Sequence, residues 1–267
     1  MQRRDGMPTT SAKDGTSLHY RVVGEGPRTV ILVHGWMVSG AVWDALVERL
    51  DLTGLRLVIP DMRGSGQSGR PDGGFSLESL AHDVLAVADA VDARRFTLVG
   101  HSMGGQLVKW VAAEVPARVE GLVLLNTVPA AGLPLPPDAA GLFRTSADSR
   151  EKKQTILGLA CKQLSPEALE ALVKDSMGVS PAAIEHVFDA WTAGGFADKL
   201  ASITAPTLVL ATDDAFLPAA FLREAVVSRI RGARLSYLPG PGHYPQVERP
   251  AETAALVSAF LAGSQPA

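Results

Sequence analysis

A chain of 267 residues with 46% hydrophobic and 20% charged side chains can bury a full core and is too apolar to stay disordered, which fits one large α/β domain or a domain carrying an insertion. Its formal net charge of −3 gives no electrostatic reason to expect nucleic acid or an anionic membrane as partner. The single cysteine, Cys161, excludes an intramolecular disulfide and a cysteine-built metal site; residues 1–8 lack the apolar core of a secretion signal and no apolar run approaches the ~18 residues of a membrane span, so a soluble, cytoplasmic protein is expected.

Asp14-Gly15 is a two-residue turn signal, and Leu18-His19-Tyr20-Arg21-Val22-Val23 after it alternates as a half-exposed strand does, which predicts an amino-terminal hairpin. Thr29 to Val33 is continuously apolar and β-branched, the pattern of a strand buried on both faces, and it ends in His34-Gly35-Trp36. Helical character from Ala41 to Leu50 separates it from a second buried-type strand, Leu55 to Ile59, closed by Pro60-Asp61. After a loop rich in small residues, apolar positions 77, 80, 84, 85, 87, 88 and 91 predict a helix capped by Ser76.

The next strand-like run, Phe96 to Val99, stops at Gly100; Ser102 follows, and helix-compatible sequence runs from Gln106 to Val115. Gly100-His101-Ser102-Met103-Gly104 is G-x-S-x-G, a strand-turn-helix so tight that a Cβ at 100 or 104 would collide, with the serine exposed at the carboxyl end of the strand. Val119 to Leu125 is a further buried strand ending at Asn126. Buried strands alternating with helices predict a mostly parallel central sheet with helices on both faces.

That rhythm then breaks. Pro129 to Gly141 is too rich in proline and glycine for a regular element, and no strand-like run occurs before about residue 200. Helices are predicted over Arg150 to Gln163, Glu167 to Met177 and Pro181 to Trp191, with Ser165-Pro166 and Ser180-Pro181 as N-cap and first helical residue. Residues 129–200 are therefore expected to form a helical insertion in a core made of 1–128 and 201–267. The core resumes with a strand at Pro206 to Thr212, a helix from Ala219 to Arg229, a strand at Arg234 to Leu238 and a helix from Ala251 to Leu261; the last seven or so residues, Gly263 to Ala267 among them, are expected to fray.

A serine hydroxyl needs a general base, a group to orient that base, and donors for the oxyanion. In a parallel sheet these gather at the carboxyl ends of the strands. Among the six histidines, His19, His82 and His186 fall on the hairpin, a helix and the insertion; His101 adjoins the serine on a turn that points neighbours apart, and His34 suits loop ordering. His243 remains, in the glycine- and proline-rich loop after the last strand. The acid sits at the end of another strand, where Asp213 and Asp214 follow Thr212; two adjacent carboxylates are costly to bury together, so one is expected to face solvent or cap the following helix. Asn126, at the other available strand end, carries no charge for stabilising an imidazolium.

Taken together, His34-Gly35-Trp36, Asp61-Met62-Arg63-Gly64-Ser65-Gly66-Gln67-Ser68, the elbow at 100–105, Ala205-Pro206-Thr207-Leu208-Val209-Leu210 with Asp214 to Pro218, and Gly240 to Pro245 with Glu248-Arg249-Pro250 resemble the α/β-hydrolase superfamily from about Thr16 to Leu261. The order Ser, Asp, His is the one that fold uses. The resemblance implies an α/β-hydrolase fold with the insertion as a helical lid, and places the acid four residues before a proline, at Asp214; Ala211-Thr212 depart from the glycine usual after that strand. It further implies oxyanion donors in the main-chain N–H groups of Trp36 and Met103, and a substrate pocket drawing on Trp36, Phe143, Trp191, Phe196, Leu217 and Tyr244. The activity implied is ester or lactone hydrolysis through Ser102, His243 and Asp214, with water and a small, partly hydrophobic ester as partners and neither metal nor organic cofactor. Carbon–carbon bond hydrolysis, perhydrolysis and cofactor-free oxygenation occur on the same architecture; a slow-turnover ligand receptor is the reading from another class. Serine at the elbow disfavours dehalogenase and epoxide hydrolase chemistry, which use aspartate there.

Overall fold

The computed structural model describes residues 8–263; the termini at 1–7 and 264–267, including most of the stretch expected to fray, lie outside the described residues. The chain runs through β1 (Thr9–Ser11), β2 (Ser17–Val23), β3 (Arg28–Val33), α1 (Asp44–Val47), β4 (Leu55–Pro60), α2 (Leu77–Ala90), β5 (Phe96–His101), α3 (Met103–Glu114) and β6 (Val119–Leu125). Four helices follow, α4 (Pro137–Arg144), α5 (Arg150–Ala160), α6 (Pro166–Met177) and α7 (Pro181–Ala193), before β7 (Thr207–Thr212), α8 (Ala219–Ala225), β8 (Arg234–Leu238), α9 (Pro245–Glu248) and α10 (Pro250–Gly263). Among the described residues, no helix is long and apolar enough to cross a membrane.

The strands form one sheet in the order β1-β2-β4-β3-β5-β6-β7-β8. β3 through β8 run parallel, while β2 lies antiparallel to β4 and the short β1 antiparallel to β2. The continuous apolar runs explain the middle of the sheet: Ile31, Val58, Leu98, Val99 and Leu124 are all completely buried, as strands covered on both faces require. The register sets Val33 beside Gly100, His101 beside Leu125 and Thr212 beside Leu238. The loops leaving β3, β5, β6, β7 and β8 are thereby gathered at one edge.

Several local expectations need adjustment. The helix expected over 41–50 is a 3₁₀ turn, Gly40–Trp43, followed by the single turn of α1. The stretch expected to be irregular up to Gly141 contains the start of α4, because Pro137 occupies the first turn, where a missing N–H costs nothing and a fixed φ suits the helix. α5 ends at Ala160, three residues early, and α8 passes into a 3₁₀ turn at Val227–Arg229. Ser76, Ser165 and Ser180 accept the N–H groups of Ser79, Ala168 and Ala183, which satisfies donors that a helix start leaves free.

Two inward polar side chains of α3 tie both ends of the segment between β6 and β7 to the core. Lys109 Nζ donates to Val128 O at 2.6 Å, and Gln106 Nε2 donates to Pro129 O at 2.8 Å and Trp191 O at 3.2 Å. These bonds anchor the segment that carries α4–α7 to α3.

Candidate active site

Ser102 stands between β5 and α3 with φ 55° and ψ −120°, a conformation that L-residues rarely adopt. Close packing imposes it. A Cβ on Gly100 would lie 2.6 Å from Gly104 O, and one on Gly104 would lie 2.2 Å from Val33 O, so strand and helix meet at a distance only glycine permits. The main chain is held on both sides: Ser102 N–H donates to Leu125 O, and Val128 N–H donates to Ser102 O, each at 3.0 Å. Such strain costs on the order of 1–3 kcal/mol, while each fully buried Leu or Val on β5 contributes about 1.5–3 kcal/mol, so burial wins and the turn persists.

His243 follows β8. Its Nδ1 lies 2.6 Å from Asp214 Oδ2, and the Asp214 side chain is fully shielded from solvent. Burial acts to raise the Asp214 pKa, but the imidazole beside it and the N–H groups of Phe216 and Leu217 outweigh that, holding the carboxyl below its ordinary range. With Nδ1 committed to Asp214, Nε2 is the ring nitrogen left for chemistry. Asp213 turns to the loop instead: partly exposed, it accepts the Gly240 N–H at 2.9 Å and the Tyr237 hydroxyl, so one carboxylate meets the imidazole and the other faces solvent at the loop rather than capping a helix.

The loop carrying His243 is tied down by groups to which the sequence assigned no anchoring role. Asn126 Nδ2 donates to Thr212 Oγ1 at 2.8 Å and to the Gly242 and His243 carbonyls, each at 3.1 Å. Thr212 Oγ1 donates to Gly242 O at 2.6 Å, so the departure from glycine after β7 supplies an anchor. His101 Nε2–H donates to His243 O at 2.8 Å; burial first, and then the His243 ring, push its pKa well below the imidazole range. Asn126 and Thr212 gave no signal beyond being polar residues at the ends of buried strands.

His34 orders a loop: its Nδ1–H donates to Gly35 O at 2.8 Å and its Nε2 accepts the Met62 N–H at 3.0 Å. Gly35 passes directly beside the elbow, since a Cβ there would lie 3.1 Å from Ser102 Cβ. His19 pairs with Asp61, His82 with Glu114, and His186 stacks on Phe75, all outside the cavity described next.

Ser102 and His243 line one narrow cavity of about 50 Å³. Among the described residues, its walls carry no Asp, Glu, Lys or Arg. Of the residues expected to shape it, Trp36, Phe143, Trp191, Leu217 and Tyr244 do so; Phe143 stacks on Trp36 at 5.4 Å with the planes 5° apart, and Trp36 Nε1 donates to Ile184 O at 2.9 Å. Phe196 does not belong there. It packs edge-on against Trp110 of α3, at 4.9 Å, because the chain has already turned back toward β7. Met37, Val128, Leu133, Leu135, Ile156, Leu157, Ala160 and Phe216 complete the walls and were not anticipated. Among the described residues, no group of His, Cys, Asp or Glu is disposed to hold a metal ion.

The family model described as the alpha/beta hydrolase family matches residues 30–256. A non-heme haloperoxidase of Rhodococcus erythropolis is 30% identical over 256 residues, covering 89% of this chain and 93% of that protein. Among solved structures, Est816, an N-acyl homoserine lactone degrading enzyme, superposes with a TM-score of 0.82 at 29% identity, covering 95% of this chain and 100% of that one. A thermophilic esterase from Thermogutta terrifontis superposes with a TM-score of 0.81 at 27% identity, covering 97% of this chain and 98% of that one.

Proposed function

The chain belongs to the alpha/beta hydrolase family, and from that premise we propose that it is a serine hydrolase of carboxylic esters or lactones. The observation that carries this reading is the meeting of a strained elbow serine and an Asp214-bound imidazole on one uncharged cavity. Ser102 Oγ attacks the substrate carbonyl while His243 Nε2 takes its proton, and Asp214 holds the tautomer and stabilises the imidazolium. The developing oxyanion is received by the N–H groups of Trp36 and Met103; the latter opens α3, where main-chain N–H groups have no helical partner and the helix dipole favours negative charge. Collapse expels the alcohol with the proton from His243, and water releases the acyl group by the same steps in reverse roles. The cavity walls offer apolar contact and no counter-charge, which suits a small, partly hydrophobic acyl or alcohol group.

Purified protein should turn over p-nitrophenyl esters of short chain length or N-acyl homoserine lactones, and label on Ser102 with a phosphonate. Absence of both turnover and labelling would reject the reading. Likeness to a haloperoxidase favours one second reading, in which hydrogen peroxide replaces water at deacylation, giving a peracid and free Ser102. Halide oxidation that requires both peroxide and an added carboxylic acid distinguishes it.

A further inference from the structure

Glu248 takes no part in the proposed chemistry, yet its buried carboxylate accepts four main-chain N–H groups. Oε2 accepts from Lys162 at 2.7 Å, Gln163 at 2.8 Å and Gly242 at 2.9 Å, and Oε1 accepts from Tyr244 at 3.1 Å. Two of these donors flank His243. The other two belong to the corner between α5 and α6, 86 and 85 residues earlier in the chain.

The same two segments touch a second time, without side chains. His243 N–H donates to Ala160 O at 2.7 Å, and a Cβ on Gly242 would lie 2.3 Å from that oxygen, so the two backbones are in direct contact. A carboxylate serving only the local loop would need Gly242 and Tyr244. Here it spends half its acceptors on the insertion, at the end of the helix whose Ile156, Leu157 and Ala160 wall the cavity. Hydrogen bonds to an ionised oxygen are short and strong, and four of them in place of a cationic side chain make the junction depend on main-chain geometry.

We propose that Glu248 is a positioning residue that makes the placement of His243 depend on docking of the α5–α6 corner. The inference rests on the assignment of His243 as general base, and it makes this side of the insertion part of the catalytic frame.

Two variants test it. Glu248→Gln keeps the size of the side chain but sets an amide against N–H donors. Lys162→Pro deletes one donor from within the insertion and leaves the carboxylate intact; Cys161 already has φ −101° and ψ 151°, the extended conformation a residue before proline adopts. In both, amide exchange at 242–244 should rise together with exchange at 160–163, by about tenfold or more. Turnover per phosphonate-titrated Ser102 should fall about 10- to 100-fold as the base shifts, with KM within about twofold of wild type. Normalising to titrated serine removes any loss due to unfolded protein, and if Glu248→Gln lacks a cooperative transition the Lys162→Pro result decides alone. Unchanged exchange at 242–244 in Lys162→Pro, or unchanged turnover per titrated site, overturns the proposal. Should wild-type protein show neither ester turnover nor labelling, the serine hydrolase reading fails separately, and the exchange comparison still decides whether the two segments are coupled.

Discussion

Asp214 reaches His243 Nδ1 at 2.6 Å, while Asp213, one residue earlier, accepts the Gly240 N–H at 2.9 Å on the other side of the turn. Adjacent carboxylates thus hold the imidazole and the loop that leads to it. Asp214→Asn should lower ester turnover by about 10⁴-fold, because the amide favours the wrong tautomer and cannot balance an imidazolium. Asp213→Asn keeps an acceptor for Gly240 and should stay within about threefold of wild type, as substitutions outside the reacting groups do. Initial rates with a p-nitrophenyl ester compare the two; equal losses would remove the distinction.

The elbow serine carries strain that its own replacement can expose. Ser102 holds φ 55° and ψ −120°, which alanine shares uneasily and glycine adopts freely. Ser102→Ala and Ser102→Gly should both lose about 10⁴-fold or more in turnover. Only the glycine variant should gain stability over the alanine one, by about 1 kcal/mol, since the penalty for a side chain in this region disappears. Denaturant titration of the pair reads the difference, and equal midpoints would mean that the turn stores no such strain.

What was legible in the sequence was whatever depends on neighbours in the chain. Buried runs marked the parallel strands, Gly100 and Gly104 marked the elbow, and a histidine in a rigid loop after the last strand stood out against five others. Choosing Asp214 over Asp213 took the resemblance, because spacing alone left both at the end of β7. Roles set by distant partners left no local trace: Asn126 meets Gly242 across 116 residues, and Glu248 meets Lys162 across 86. The cavity walls were legible only in part for the same reason. Helical periodicity shows which face of the insertion is apolar, but not which element that face meets.

Phe143 and Phe196 turn that point into an experiment. Phe143 stacks on Trp36 inside the cavity, whereas Phe196 sits on Trp110 outside it. Phe143→Ala should raise the ratio of kcat/KM for hexanoate over acetate esters by about tenfold, the scale of one or two methylenes in an apolar pocket. Phe196→Ala removes a fully packed ring and should cost about 3–5 kcal/mol of stability with no change in that ratio. A shift in chain-length preference for the Phe196 variant, or none for the Phe143 variant, would contradict the placement of the two rings.

Lys109 should leave a signature in how stability varies with pH. It is completely buried on α3, with Nζ donating to Val128 O at 2.6 Å, and burial lowers its pKa from 10.5 to about 7. The unfolded chain keeps the proton until the ordinary value near 10.5, so between about pH 7 and that value the unfolded state binds one proton more than the folded state. Stability attributable to this group therefore rises with pH across the window, by about 1.4 kcal/mol per unit, and is flat below and above it. Lys109→Met removes the titration and leaves the Val128 carbonyl unpaired, which adds an offset that does not vary with pH. Urea unfolding of wild type and variant from pH 6 to 10 should give a difference that moves steadily in favour of wild type above about pH 7. A constant difference would show that the buried amine keeps its proton when folded.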